Sequence, residues 1–268
     1  MIGRIVWDCS HTPSRTYLTF SALFQGQTPP GGPYGSGQQS GGSGAHILKL
    51  AQQRGLPLGT FVTTGNEADV EFGEVLMALA DDDDVKVILA YVEGVRARGS
   101  FLAGLARAHA ARKPVVLLKV GRTESGAAAA ASHTASLAGA DSIYDDAYST
   151  NTVCSVARNT EEIARRCLRR AARTPGTPVG GLGSLPYPEA WGRRSPMRRA
   201  RRAWSWRRHR RRPNLQLRAL CPPGSPENPV DVTAQVSTDH ELMARSLEIV
   251  MASGGYDITL AFFGLYAV

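Results

Sequence analysis

The chain has 268 residues, 43% of them hydrophobic, enough for one large domain or two smaller ones with real cores, which excludes a chain unfolded throughout. Four cysteines, Cys9, Cys154, Cys167 and Cys221, show no C-x-x-C spacing, so neither a zinc site nor a disulfide scaffold is indicated, and no window reaches the roughly 18 uncharged apolar residues of a membrane span. The net charge of +8 is local: residues 191–218 hold twelve arginines and no acid, and subtracting twelve from +8 leaves −4 for the rest. A cytoplasmic protein is the expectation.

From residue 45 to 172 helical and strand patterns alternate with short connections, which predicts a parallel sheet covered by helices. Taken in order, residues 45–54 read as a helix, 59–64 as a strand ending at Gly65-Asn66, and 68–80 as a helix with Val70, Val75, Leu76 and Leu79 largely on one face. Residues 85–92 form the clearest strand, 100–111 a helix, 115–119 a strand and 152–156 a last short strand. Thr160 is expected to cap a helix over 161–172, with acids in its first turn and arginines in its last, as the helix dipole prefers. The plan is an α/β, flavodoxin-like doubly wound sheet of five parallel strands, provided residues 32–39 supply the first. That strand is poor: Tyr34-Gly35-Ser36-Gly37 is too glycine-rich and polar for a comfortable central position.

Residues 173–190 are rich in Gly, Pro and Ser and read as a linker, continued by the arginine run as a disordered basic segment to about residue 220. Beyond it, 241–251 is a plausible helix and 258–263 a plausible strand. The expected organisation is therefore 1–32 as the remnant of a preceding domain, 33–172 as the flavodoxin-type domain, 173–220 as linker and 221–268 as the start of a second α/β unit.

One loop carries chemistry. After the apolar strand 115–119 come Gly121-Arg122-Thr123-Glu124-Ser125-Gly126, five alanines, and Ser132-His133-Thr134. Loops at the carboxyl ends of such strands are where open α/β sheets bind ligands, and small residues leave His133 approachable. Asp81 to Asp84 falls between a helix and a strand, where a charge run is a solvated turn, and no metal site is expected there. His46, His109 and His240 have no partner pattern.

Five stretches in order, Ser40-Gly41-Gly42-Ser43-Gly44-Ala45, Gly65-Asn66-Glu67-Ala68-Asp69-Val70, Tyr91-Val92-Glu93-Gly94, Lys119-Val120-Gly121-Arg122-Thr123 and Ala131-Ser132-His133-Thr134, resemble the ADP-forming acyl-CoA synthetases, relatives of succinyl-CoA synthetase. A second island, Asn228-Pro229-Val230-Asp231-Val232, resembles the early part of the family's next flavodoxin-like domain. The resemblance implies a reaction in which acyl-CoA, phosphate and ADP interconvert with acid, CoA and ATP through a phosphorylated histidine. His133 is at that position, and Glu93 aligns with the carboxylate that holds the histidine ring. The phosphoryl group needs free N–H groups at helix starts, a role for Ser40, Gly41 and Gly42 and, by resemblance, for Ser132 and Thr134.

Coenzyme A, ATP/ADP and Mg are implied as cofactors handled with a partner ATP-grasp subunit or domain, and an acyl-CoA or organic acid as substrate. Neither a CoA-binding Rossmann fingerprint nor an ATP-grasp domain is recognisable in the sequence, so the chain reads as an incomplete member not competent alone. The arginine run is compatible with a solvated linker, with a basic arm whose Trp191, Trp204 and Trp206 stack on bases, and with out-of-frame translation of GC-rich DNA over 176–214. The competing class is a non-catalytic pseudoenzyme fragment or basic nucleic-acid-binding module.

Overall fold

The structure, a computed structural model, describes residues 8–19, 31–120, 154–157, 159–171, 173–174, 211–222, 241–256 and isolated positions between 224 and 261. The chain divides into two compact units, the first holding the sheet and the second the described residues from 211 onward.

The first unit is built on β1 (Asp8–His11), β2 (Thr16–Thr19), β3 (Tyr34–Gln38), β4 (Leu58–Thr63), β5 (Val87–Val92), β6 (Val115–Lys119) and β7 (Cys154–Ala157). They form one sheet in the order β2-β1-β4-β3-β5-β6-β7. The five strands from β3 onward are parallel, and their order is that of a flavodoxin-like sheet. The sheet has seven strands rather than five because the hairpin β1–β2 adds antiparallel to β4, with Ser10 opposite Phe61. Residues 8–19, expected with a preceding domain, thus extend this sheet.

Helices α1 (Gly41–Gln53), α2 (Phe72–Asp81), α3 (Arg98–Ala110) and α4 (Thr160–Ala171) cover both faces. On one face, Ile47, Leu48 and Ala51 of α1 and Ile163, Ala164 and Cys167 of α4 pack on Tyr34, Leu89 and Val116. On the other, Val75, Leu76 and Leu79 of α2 and Phe101 and Leu105 of α3 pack on Ile88, Ala90 and Leu117. Strands buried on both faces read as continuous apolar runs, which is why β5 and β6 are legible from sequence.

Strand β3 departs from expectation. It is central, all five of its residues are buried, and it pairs with β4 and β5. Its glycines face α2: a Cβ on Gly35 would lie 2.8 Å from Leu79 Cδ2 and 2.9 Å from Val85 Cγ1, and one on Gly37 3.1 Å from Phe72. The polar residues face the other way, Gln38 Nε2 donating to Ser36 Oγ at 2.5 Å, while Gln38 Oε1 finds no partner among the described residues. Three helix starts also differ. Helix α1 begins at Gly41, so the glycines lie inside its first turn. Helix α2 begins only at Phe72, because Glu71 and Glu74 form a reciprocal capping box there. Asn159, not Thr160, caps α4, its Oδ1 accepting from the Glu162 amide at 2.8 Å.

In the second unit α5 (Arg211–Leu220) lies within the stretch expected as linker, and α6 (Glu241–Ala252) follows. Leu217 is buried on α5, Leu220 and Cys221 follow at i+3 and i+4, and a small cluster joins Cys221, Val232 and Leu242. Of the expected 258–263 strand only Thr259 and Ala261 are described, neither of them in a strand, and the segment 176–210 lies outside the described residues.

Candidate active site

In the parallel part of the sheet the chain leaves β3 for one face through α1 and leaves β5 for the other through α3. The crevice beyond the carboxyl ends of β3 and β5 is therefore the switch point at which doubly wound sheets bind ligands. The strand register sets Gln38 opposite Tyr91 and so brings Gln39 beside Glu93.

Ser40 is the N-cap of α1, extended at φ −117° and ψ 123°, and its Oγ accepts from the Ser43 amide at 3.3 Å. That leaves the amides of Gly41 and Gly42, the first two of the helix, without an intrahelical carbonyl. Gly42 is exposed and no acid lies in the first turn, so the positive end of the helix dipole meets solvent uncompensated by a neighbouring carboxylate of its own.

Glu93 follows β5 and is buried. Side chains grip its backbone from two sides. Gln39 Oε1 accepts from the Glu93 amide at 2.6 Å and from the Gly94 amide at 3.0 Å, while Gln39 Nε2 donates to the Gly94 carbonyl at 2.7 Å. Lys119, buried at the end of β6, donates from Nζ to the Glu93 carbonyl at 2.9 Å and also to the Val120 carbonyl. Tyr91, two residues before Glu93 on the same face, links it to the helix start. Its phenol is pushed up to about 12, first by burial and then by the Glu93 charge, with a hydrogen bond to Ser43 acting the other way.

Glu67 completes the described group. It holds φ at +52°, a left-handed conformation costing a non-glycine residue roughly 1 kcal/mol or more. Its Oε1 accepts from Gln39 Nε2 at 2.6 Å, the Phe72 amide at 3.0 Å and Thr64 Oγ1 at 3.4 Å, and those bonds secure the strained turn. Burial still dominates and raises its carboxyl above the ordinary 4.5. Beside it a shallow open cleft is lined by Glu67, Glu71, Gly73, Arg96 and Ser100, among others.

Of the residues singled out from sequence, Ser40, Gly41, Gly42 and Glu93 gather at this crevice. His133, Ser132 and Thr134 lie outside the described residues. Gln39 and Lys119 were missed as functional residues and Glu67 was given no role. The one available signal for Gln39 was its place between a strand and a serine-capped glycine turn.

The Asp81–Asp84 run is a turn, yet His11 from the hairpin joins it: donor atoms of His11, Asp82 and Asp84 lie within 4.8 Å of one another. His11 Nδ1 accepts the Ser14 amide at 3.2 Å, which places the proton of a neutral ring on Nε2, facing Asp82 Oδ2 at 3.5 Å. That tautomer turns a proton, not a lone pair, toward the carboxylates.

Residues 32–167 match the succinyl-CoA ligase like flavodoxin domain. The alpha subunit of ADP-forming acetate–CoA ligase II from Pyrococcus furiosus is 31% identical over 233 residues, 83% of this chain and 48% of that protein. ADP-forming acetate–CoA ligase from Methanocaldococcus jannaschii is 38% identical over 133 residues, 50% of this chain and 19% of that protein. Among solved structures, a dinucleotide forming acetyl-coenzyme A synthetase 1 from Ca. Korarchaeum cryptofilum, in complex with phosphate and ADP, aligns at a TM-score of 0.57 and 26% identity. That alignment covers 87% of this chain and 49% of the other. The chain thus spans half or less of the length of these relatives. With the flavodoxin strand order, the switch-point crevice and a matching segment of half its length, the chain belongs to the succinyl-CoA ligase like flavodoxin domain family.

Proposed function

We propose that the chain is the phosphohistidine-carrying domain of an ADP-forming acid–CoA ligase, interconverting acyl-CoA, phosphate and ADP with acid, CoA and ATP together with a partner that supplies an ATP-grasp domain. The supporting observation is that Gln39, the residue before the α1 cap, holds the Glu93 backbone at the switch point of a family member.

In this reading phosphate displaces CoA from the acyl carbon to give an acyl phosphate. A ring nitrogen of His133 then attacks phosphorus: the N–P bond forms, the P–O bond to the acyl oxygen breaks, the carboxylate leaves with that electron pair, and the ring proton passes to solvent. The phosphoryl group goes on from His133 to ADP. Glu93 accepts from the other ring nitrogen, which fixes the tautomer and leaves the attacking nitrogen free. Gly41 and Gly42 offer amides and the helix dipole to the phosphoryl oxygens with Ser40 closing the turn, and the resemblance assigns further phosphate contacts to Ser132 and Thr134. Positioning and fixed dipoles carry such a transfer.

The described residues fit a phosphoryl group in one concrete respect: a helix start whose first two amides have no intrahelical carbonyl and whose first turn carries no acid. Coenzyme A, the nucleotide and its Mg belong to the partner domains in this reading. No described helix is long and apolar enough to cross a membrane. The test is incubation with labelled ATP and an ATP-grasp partner. Acid-labile, base-stable label on the wild type that is absent from His133→Ala is the expected result. No label, together with strand binding of steep salt dependence, would establish the basic-module alternative instead.

A further inference from the structure

The Glu93–Gly94 segment offers two amides and two carbonyls, and Gln39 and Lys119 between them bond all four. Buried backbone groups are normally met by other backbone. Here two side chains from two other strand ends do it, one from each side of β5. Gln39 uses both of its amide atoms: Oε1 takes two N–H groups, and Nε2 divides its donors between Gly94 O and Glu67 Oε1. It is also the residue immediately before the Ser40 cap. A single side chain therefore couples the position of the Glu93 backbone to the start of α1. Lys119 performs the matching task toward β6, since its Nζ holds the carbonyls of Glu93 and Val120 together. A core of this kind needs neither residue for burial, because apolar side chains would fill the same volume without desolvating an amide and an ammonium.

We infer that Gln39 and Lys119 are positioning residues, a two-sided clamp that sets the Glu93 carboxylate against the phosphoryl-binding start of α1. The inference rests on the phosphohistidine reading. Neither residue touches the reacting atoms in it; both act through Glu93. Loss of the clamp therefore costs rate only while Glu93 is there to be positioned.

The test needs no partner protein. The full chain is incubated with labelled acetyl phosphate, whose phosphoryl transfer to His133 releases acetate, and the initial rate of labelling is followed across pH. Gln39→Met and Lys119→Met are expected to slow labelling by roughly 10- to 100-fold, the scale for partners that orient a reacting group's neighbour. Lys119→Arg should recover part of the rate. On a Glu93→Gln background the same substitutions should change the rate by less than about threefold, because residues acting as a unit are not additive.

Unfolding curves accompany each variant, and should Gln39→Met fail to fold, Gln39→Glu takes its place in the cycle. That variant keeps the Oε1 acceptor while turning a second carboxylate toward Glu67. A labelled wild type with undiminished Gln39→Met and Lys119→Met, or with equal losses on both backgrounds, overturns the clamp alone. A wild type that takes no label removes the phosphohistidine reading and the clamp with it.

Discussion

Two glycines at the second position of their helices predict opposite outcomes for the same substitution. A Cβ on Gly73, in the first turn of α2, would lie 2.4 Å from the Ser100 carbonyl carbon and 2.6 Å from the Phe101 amide nitrogen. Both obstacles are backbone of α3, and Gly104, one turn further along the same helix, is also close, its own Cβ position 2.9 Å from the Gly73 carbonyl oxygen. No rotamer change relieves such a contact, so the helices must separate. Overpacking costs about 1–3 kcal/mol, and a backbone obstacle belongs at the upper end; the gain in helix propensity from Gly to Ala, about 1 kcal/mol, offsets part of it.

Gly73→Ala should therefore destabilise by about 2 kcal/mol, lowering a urea midpoint by about 1 M at a slope near 2 kcal/mol/M. A Cβ on Gly99, in the first turn of α3, meets nothing within 4 Å. Gly99→Ala should stabilise by about 0.4–1 kcal/mol, because it only narrows the unfolded ensemble. Urea unfolding followed by far-ultraviolet circular dichroism reads both. Equal midpoints for the two variants, or a Gly73→Ala midpoint at or above wild type, would refute the reasoning that the α2–α3 spacing is set by backbone contact.

The other expectations concern buried polar groups and the proposed reaction. Tyr34 is wholly buried, its phenol is pushed up to about 12 chiefly by burial, and its hydroxyl finds no hydrogen-bond partner among the described residues. Tyr34→Phe should stabilise by about 1 kcal/mol and raise the melting temperature by about 2–4 °C. Glu67 has its carboxyl raised by burial, so its ionisation is disfavoured in the fold: stability present below the unfolded value is lost as pH rises through the folded one. Glu67→Gln should then gain on wild type between mildly acidic and neutral pH; urea midpoints that stay parallel across that range would contradict it. In the labelling reaction with an ATP-grasp partner, Glu93→Gln should lose about 10²-fold or more in rate of phosphohistidine formation with wild-type unfolding behaviour, the scale for a group assisting proton placement.

The elements that were legible in sequence are those whose pattern is set by burial alone. Strands β5 and β6 are apolar throughout because both faces are covered, and α2 shows its Val75-Leu76-Leu79 stripe because one face is. Strand β3 misled because its composition answers to its neighbours: Gly35 and Gly37 are small to admit α2, and Gln38 donates to Ser36 within the buried face. The hairpin β1–β2 left no signal because its pairing with β4 joins residues some fifty positions apart. At the site, Ser40 could be named because a serine before glycines marks a helix start, whereas Glu93 could be named only through its alignment with the family's carboxylate. Gln39 could not, since nothing about a glutamine says which backbone it will hold.

That difference bears on how the crevice works. The groups visible in sequence are those that would meet the phosphoryl group or the imidazole, whereas the groups visible only in the fold are those that hold them. Gln39 reaches Glu93 because the register sets Gln38 opposite Tyr91, and Lys119 reaches it because β6 ends level with β5, Val92 lying opposite Lys119. The parallel sheet thus does more than carry loops to one edge. Its register decides which side chain ends beside which peptide, and a one-residue slip of β3 would turn Gln39 to the opposite face. The cost of the two glycines in β3 follows from the same requirement. With any larger side chains α2 would stand off, and Glu67, whose Oε1 receives both the Phe72 amide at the head of α2 and the Gln39 amide, could no longer serve both. Packing on one face of the sheet and positioning at its edge are therefore a single constraint, written into Gly35, Gly37 and Gln39 together.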